Sequence, residues 1–201
     1  KRRHHLVIVA KNDVGLKNLF KLTSWSFRNG FYRYPRLDFK ILDQYKEGLI
    51  ISTACVAGMP NWLVFREEKN GDQAIQNALD NEFKPLMDIF GKENANIELQ
   101  FNKLPVQALS NKHLIKFAQR HGYNLLATCD NHYAQPKSWK DRELYRLMAR
   151  QSKGYDISKD DLVQTIEQLD CELYVKNGDQ MYASYLEMVK TFPNEDRYDD
   201  I

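Results

Sequence analysis

Several features are missing from these 201 residues, and each absence excludes something. No stretch of about 18 apolar residues occurs, so no segment reads as a membrane-spanning helix. Cysteine is scarce. Cys55, Cys129 and Cys171 are widely spaced and odd in number, which is no disulfide framework and suits a reducing cytosol. An excess of one charge is missing too: 29 Lys and Arg face 27 Asp and Glu, a formal net charge of +2, so nothing marks the whole chain as a nucleic-acid coat. Any affinity for DNA has to come from local placement. The places for it are Lys1-Arg2-Arg3 and residues 28–36 (RNGFYRYPR), although a solvated basic face is the plainer reading of both. There is no Ser-His-Asp arrangement, no G-x-S-x-G elbow, no P-loop and no G-x-G-x-x-G, so nucleophilic hydrolases and nucleotide-binding folds gain no support. Internal repeats and low-complexity segments are absent as well.

What is present is the balance of a soluble globular protein, with 43% hydrophobic and 28% charged residues and enough length to bury a sizeable core. The opening residues, KRRHHLVIVA, put basic residues before an apolar run too short for a secretory signal. A strand begins almost at once and without a Met, which reads as a fragment or a trimmed chain. Residues 6–10 (LVIVA) have the continuous apolar character of a strand buried on both faces. Asp13 can cap a helix carrying Leu16, Leu19, Phe20 and Phe27 at helical spacing, and Asp38 a second one through Leu42 and Tyr45, stopped at Gly48. Residues 49–53 form another buried strand running into Ala54 and Cys55. A helical pattern over 72–90 contains Pro85, which predicts a kink or two helices. A third strand spans 97–101. Pro105 opens a helix that His121-Gly122 ends, and a fourth buried strand over 125–129 leads into Asp130-Asn131-His132. Residues 138–151 read as an amphipathic helix. A short helix over 159–169, a strand over 172–176 and a helix from Asp179 complete the chain, so the expected division is a body over 1–152 and a peripheral extension over 153–201.

Alternating strands and helices with few hairpin signals are the pattern of parallel βαβ units, hence an α/β fold built as a doubly wound sheet or a barrel. Chemistry then collects at the carboxyl ends of the strands, where Cys55 and Asp130 lie. In an extended segment residues i and i+2 face one side, so Asp130 and His132 point together. A carboxylate beside an imidazole is a common pair of zinc, manganese or iron ligands. A turn with Asp130 on its own backbone and His132 in solvent is the plainer alternative. Cys55 is open to both a thiolate role and simple packing. Cys129 faces away and is assigned to packing, Cys171 receives no role, and His113 and His121 are expected at surface or capping positions.

In order along the chain, HHLVIVAKNDVGLKNLFKLTS, FYRYPRLD, EGLIISTACVAG, NIELQ and NLLATCDNHY resemble the PHP (polymerase and histidinol phosphatase) domain. The version they resemble stands at the N-terminus of bacterial replicative DNA polymerase III alpha subunits, and the resemblance covers roughly residues 4–150. It implies part of a distorted (β/α)7 barrel with parallel strands and outer helices, holding up to three divalent metal ions, zinc or manganese, at its mouth. By position it implies metal ligation by His5, Cys55, Asp130 and His132, with Asp130 and His132 as the catalytic pair; His4 has no counterpart. The family's upstream H-x-H, Asp or His pair and bridging Glu find no match here, and Gly58-Met59 stands where the family often has Gly-Glu. The ligand set is therefore expected to be incomplete. The implied activity is a metal-dependent phosphoesterase, in polymerases a 3′–5′ proofreading exonuclease on primer-template DNA. It would work in the cytoplasm beside other replicase subunits and the rest of the polymerase chain. Arg36, in the PRLD segment near the strand ends, is the candidate DNA contact. Two further readings fit the fold: an inactive scaffold docking a separate proofreading exonuclease, and a free-standing phosphatase.

Overall fold

The computed structural model describes residues 3–155 and 172–191. Four strands form one sheet in the order β1-β2-β3-β4: β1 (Val7–Ala10), β2 (Leu49–Ser52), β3 (Ala95–Gln100) and β4 (Asn124–Thr128). Helices fill every connection. α1 (Asp13–Arg28) and α2 (Phe39–Gln44) lie between β1 and β2; α3 (Met59–Glu67), α4 (Asp72–Ala78) and α5 (Lys84–Phe90) between β2 and β3; and α6 (Pro105–His121) between β3 and β4. α7 (Trp139–Gln151) follows β4, and α8 (Gly178–Thr191) is the last described helix. The expected α/β alternation is present as an open sheet, with β1 and β4 at its edges.

One pairing departs from the parallel arrangement. β2 and β3 are parallel, but β1 runs antiparallel to β2, with Val7 opposite Ser52 and Ala10 opposite Leu49. Alternation fixes the fold class and leaves each direction open, because a crossover as long as residues 11–48 can re-enter the sheet from either end. Edge position also overturns the expected burial of β1 and β4. Val7 and Val9 are 41% and 52% exposed, and β4 shows the same partial exposure, whereas β2 and β3 are buried almost throughout.

α1 is capped by Asn12 rather than Asp13; the Asn12 side chain accepts the Gly15 amide at 2.9 Å. Its docking face is Gly15, Asn18, Leu22 and Ser26, while Leu16, Phe20 and Phe27 stand exposed. The reason is close backbone approach: a Cβ on Gly15 would collide with the carbonyl of Gly48, so the helix packs through its small residues and turns its aromatic ones outward. The expected caps of the next helices hold. Asp38 accepts the Ile41 amide at 3.0 Å, and α6 opens on Pro105 and closes at His121 before Gly122. Between α4 and α5 the kink expected at Pro85 takes the form of a π-helical turn, Leu79–Phe83, in which the Lys84 amide reaches back to Leu79. Proline donates nothing to the ladder, and the extra residue absorbs the mismatch. The expected helix at 159–169 lies outside the described residues.

The chain divides into two compact units, Lys1–Leu99 with Leu109–Leu126, and Gln100–Ala108 with Ala127–Ile201. The first buries Leu22, Ile51, Leu63, Leu79, Phe83 and Phe117, with the last two rings 5.5 Å apart. The second buries Phe101, Leu147, Leu173 and Met188.

His113 is the main correction inside the first unit, since its side chain is 1% exposed rather than at the surface. The Gln76 amide donates to its backbone carbonyl at 3.2 Å and lies 3.4 Å from Nδ1, while Nε2 stands 3.7 Å from Asp72, with Lys112 and Lys116 beside that carboxylate. Burial pulls its pKa from 6.5 down to about 4. An unfolded chain takes up this proton near pH 6.5 and the folded one resists until near pH 4, so stability is complete above the window and falls as pH drops through it. At about 1.4 kcal/mol per pH unit the loss amounts to roughly 3–4 kcal/mol at most. Urea denaturation from neutral pH down to about pH 4.5 is expected to show this decline, and to show it flattened in His113→Asn.

Candidate functional site

Side-chain hydrogen bonds tie the end of β2 to β3 and the turn after it to α3. Ser52 donates its hydroxyl to the buried carboxylate of Glu98 on β3, and the Glu98 amide donates to the Thr53 hydroxyl at 2.8 Å. Ala54 then adopts a left-handed φ of 61°, costly for a residue with a Cβ. From there the chain turns: the Cys55 carbonyl accepts the Gly58 amide at 2.7 Å and the Asn61 side-chain amide at 2.9 Å. Asn61 is itself buried and receives the Ser110 hydroxyl from α6. Gly58 is required at this point, since a Cβ there would collide with the Thr53 carbonyl. The segment before β1 closes the arrangement, with the His5 amide donating to the Ala57 carbonyl at 3.0 Å. His5 and Cys55, fifty residues apart, thereby meet with Nδ1 3.7 Å from Sγ. His4 points elsewhere, its ring 5.0 Å from that of Trp62.

In the second unit Asp130 and His132 also meet, Oδ2 to Nε2 at 3.4 Å, though not through the extended geometry expected. Asp130 has a left-handed φ of 47°, a conformation Asp tolerates, and the chain turns there. The extension holds this turn. The Leu173 carbonyl accepts the His132 amide at 2.8 Å, and the Leu173 amide donates to the Tyr133 hydroxyl at 3.0 Å. Instead of a strand over 172–176, the structure has a single parallel bridge between Tyr133 and Tyr174. Cys129 is half-buried, as Cys55 is.

The spacing of each pair, which is that of an ordinary hydrogen bond or ion pair, would also fit two ligands on one metal. Two ligands on a tetrahedral zinc, with Zn–S about 2.3 Å and Zn–N or Zn–O about 2.0–2.2 Å, stand roughly 3.6 Å apart for S and N and roughly 3.4 Å for O and N. Thiolate, imidazole and carboxylate are donors for zinc and its neighbours. Among the described residues no group of three or more His, Cys, Asp or Glu side chains gathers at one point. Beside His5 lies a cavity of about 1140 Å³ lined by Arg3, His5, Tyr34, Arg36, Lys40 and Trp62 over an apolar floor. Arg36 is half-buried, with Nε 3.4 Å from the Gly30 carbonyl and its guanidinium 5.2 Å from the centre of the Tyr32 ring. The spacing arguments reached His5, Cys55, Asp130 and His132 but not the residues that hold them. Asn61, Glu98, Ser110 and Tyr133 carry no motif; only polarity inside apolar segments marks the first three.

The sequence profile of the PHP domain matches residues 1–102. The chain belongs to the PHP domain family. It is 40% identical over 155 residues to the DNA polymerase III subunit alpha of Aquifex aeolicus, a match covering 76% of this chain and 12% of that protein. It is 28% identical over 198 residues to the subunit alpha of Borreliella burgdorferi, covering 96% of this chain and 16% of the relative. Against the PolC-type DNA polymerase III of Clostridium perfringens it is 31% identical over 216 residues, covering 96% of this chain and 14% of the relative. The chain thus spans between 12% and 16% of the length of these relatives.

Asn61→Ala removes one donor from the Cys55 carbonyl and leaves the Ser110 hydroxyl without its acceptor. A loss of about 1–3 kcal/mol is expected in urea denaturation. Alkylation of Cys55 by a maleimide is expected to speed up relative to Cys129, because the turn that half-covers the thiol loosens.

Proposed function

We propose that the chain is the metal-dependent phosphoesterase domain of a bacterial-type replicative DNA polymerase, acting 3′–5′ on a primer end in proofreading. The observation that carries this reading is the spacing of the two donor pairs, His5 with Cys55 at 3.7 Å and Asp130 with His132 at 3.4 Å. Similarity to polymerase subunits supplies the substrate class. His5 and His132 would bind zinc or manganese as neutral imidazoles, Cys55 as thiolate and Asp130 as the anionic ligand, so binding competes with protons. A bound metal of this kind supplies a hydroxide near neutral pH and stabilises charge on phosphoryl oxygens. The turn at Cys55 and the clamp at Leu173 orient the donors, and Arg36, on the cavity that His5 also lines, holds a phosphate of the DNA backbone. In this reading residues 153–201 lead in sequence into the polymerase part of a longer chain, which works in the cytoplasm with other replicase subunits.

The test is metal analysis of the full-length protein, together with cleavage of a mismatched primer by wild type, Asp130→Ala and His132→Ala. Bound zinc or manganese is expected, with cleavage reduced roughly a hundredfold or more in either variant, since removing a ligand costs at least the roughly 10–100-fold of removing a group that only orients one. Absence of any transition metal, or cleavage unchanged by both substitutions, would sink the reading and leave the domain as a scaffold.

A further inference from the structure

Between Asp13 and Asp38 the chain contains no acidic residue at all, while Lys17, Lys21, Arg28, Arg33 and Arg36 supply five positive charges. At the end of this stretch residues 30–36 form a closed loop. The Gly30 amide donates to the Trp25 carbonyl at 3.2 Å, the Tyr32 amide to the Tyr34 carbonyl at 3.1 Å, and Arg36 Nε to the Gly30 carbonyl at 3.4 Å. A Cβ on Gly30 would strike the Arg36 carbonyl, so the two ends of the loop sit against each other. The loop does not bury its aromatic residues. Phe31, Tyr32 and Tyr34 are 55%, 65% and 54% exposed, and Phe27 stacks on Phe31 at 6.3 Å.

Three guanidinium groups stand over these tyrosines: Arg3 at 3.6 Å from the Tyr34 ring, and Arg36 and Arg33 at 5.2 and 5.9 Å from the Tyr32 ring. Flat aromatic faces alternate with positive charges on a loop closed by backbone bonds, and Arg36 is itself tied to the Gly30 carbonyl. A complementary partner is a polyanion that also offers flat apolar faces. Single-stranded nucleic acid has both, whereas a duplex hides its bases and an acidic peptide or an anionic membrane offers charge without a regular series of rings. Tyr34 and Arg36 line the same cavity as His5, so a strand stacked on the loop adjoins the cavity that His5 lines.

We infer that the Phe31–Arg36 loop is a stacking platform for single-stranded DNA, with Tyr32 and Tyr34 taking bases and Arg33 and Arg36 taking the flanking phosphates. This rests on the reading above only in taking nucleic acid as the ligand; binding to the platform requires no metal.

The experiment is photo-crosslinking of the full-length protein to a bromodeoxyuridine-substituted single strand in EDTA, with crosslinked peptides mapped by mass spectrometry. A longer polymerase binds DNA elsewhere too, so the readout is the crosslink at residues 31–36 rather than total affinity. Crosslinks at Tyr32 and Tyr34 are expected, competed by a thymidine oligomer and not by an abasic oligomer of equal length or by blunt duplex. Base–aromatic stacking corresponds to about five- to hundredfold per ring, so Tyr32→Ala with Tyr34→Ala is expected to cut the yield at Phe31 and in the rest of the loop at least tenfold. Tyr32→Phe with Tyr34→Phe, which keeps the rings, is expected to retain it. No crosslink in the loop, or equal competition by the abasic oligomer or by an acidic peptide, would overturn the inference. Loop crosslinks in a protein that binds no metal overturn the phosphoesterase reading alone, and metal-dependent cleavage without loop crosslinks overturns the platform alone.

Discussion

The carbonyl oxygen of Cys55, with two donors on it, fixes the end of β2 and the groups that hang from it. One donor is the Gly58 amide, which makes the turn, and the other is the Asn61 side chain, which ties that turn to α3 and through Ser110 to α6. Because the turn is held in place, the Ala57 carbonyl is available to the amide of His5, and the imidazole comes to lie beside the thiol. A left-handed alanine before the cysteine is tolerated for the same reason: neighbouring bonds over-determine it.

Around this turn the interior of the first unit is unusually polar in places. Asn61, Glu98, Ser110, Gln76 and His113 are all buried. Such groups do little for net stability, since each has given up water. Their contribution is to specificity of position. A hydrophobic side chain holds its neighbours by volume, whereas the Asn61 amide holds one carbonyl at one distance. The surface follows the opposite logic along α1, where the small residues face inward against Gly48 and the aromatic ones face out, toward the basic loop at the end of the helix.

The alternation of strands and helices was readable from hydrophobic pattern, as were the caps at Asp38 and Pro105, because these are local effects. Edge positions were not readable. The run LVIVA has the composition of a central strand, yet β1 lies at an edge, and no window of sequence states which strand will be its neighbour. The same blindness explains α1, where helical spacing of Leu16, Phe20 and Phe27 was visible but the steric demand of Gly48 on Gly15 was not. For the candidate site, the pairing of Asp130 with His132 came from a short spacing and that of His5 with Cys55 from family resemblance. The residues that position them are contributed by distant elements and carry no motif. His113 was misplaced because a histidine within an amphipathic pattern looks the same whether its side faces solvent or core.

The clamp on His132 has a temporal side. Its backbone partner Leu173 follows Tyr133 by forty residues, and His5 meets Cys55 only after fifty. On a ribosome the chain emerges from its N-terminus, and contacts of this separation form after their intervening segments exist and pay the entropy of closing a long loop. The two donor pairs are therefore completed at different moments of synthesis. A nascent chain that has passed α6 has every partner of the turn beneath Cys55, while the peptide bonds flanking His132 still lack the segment that will fix them.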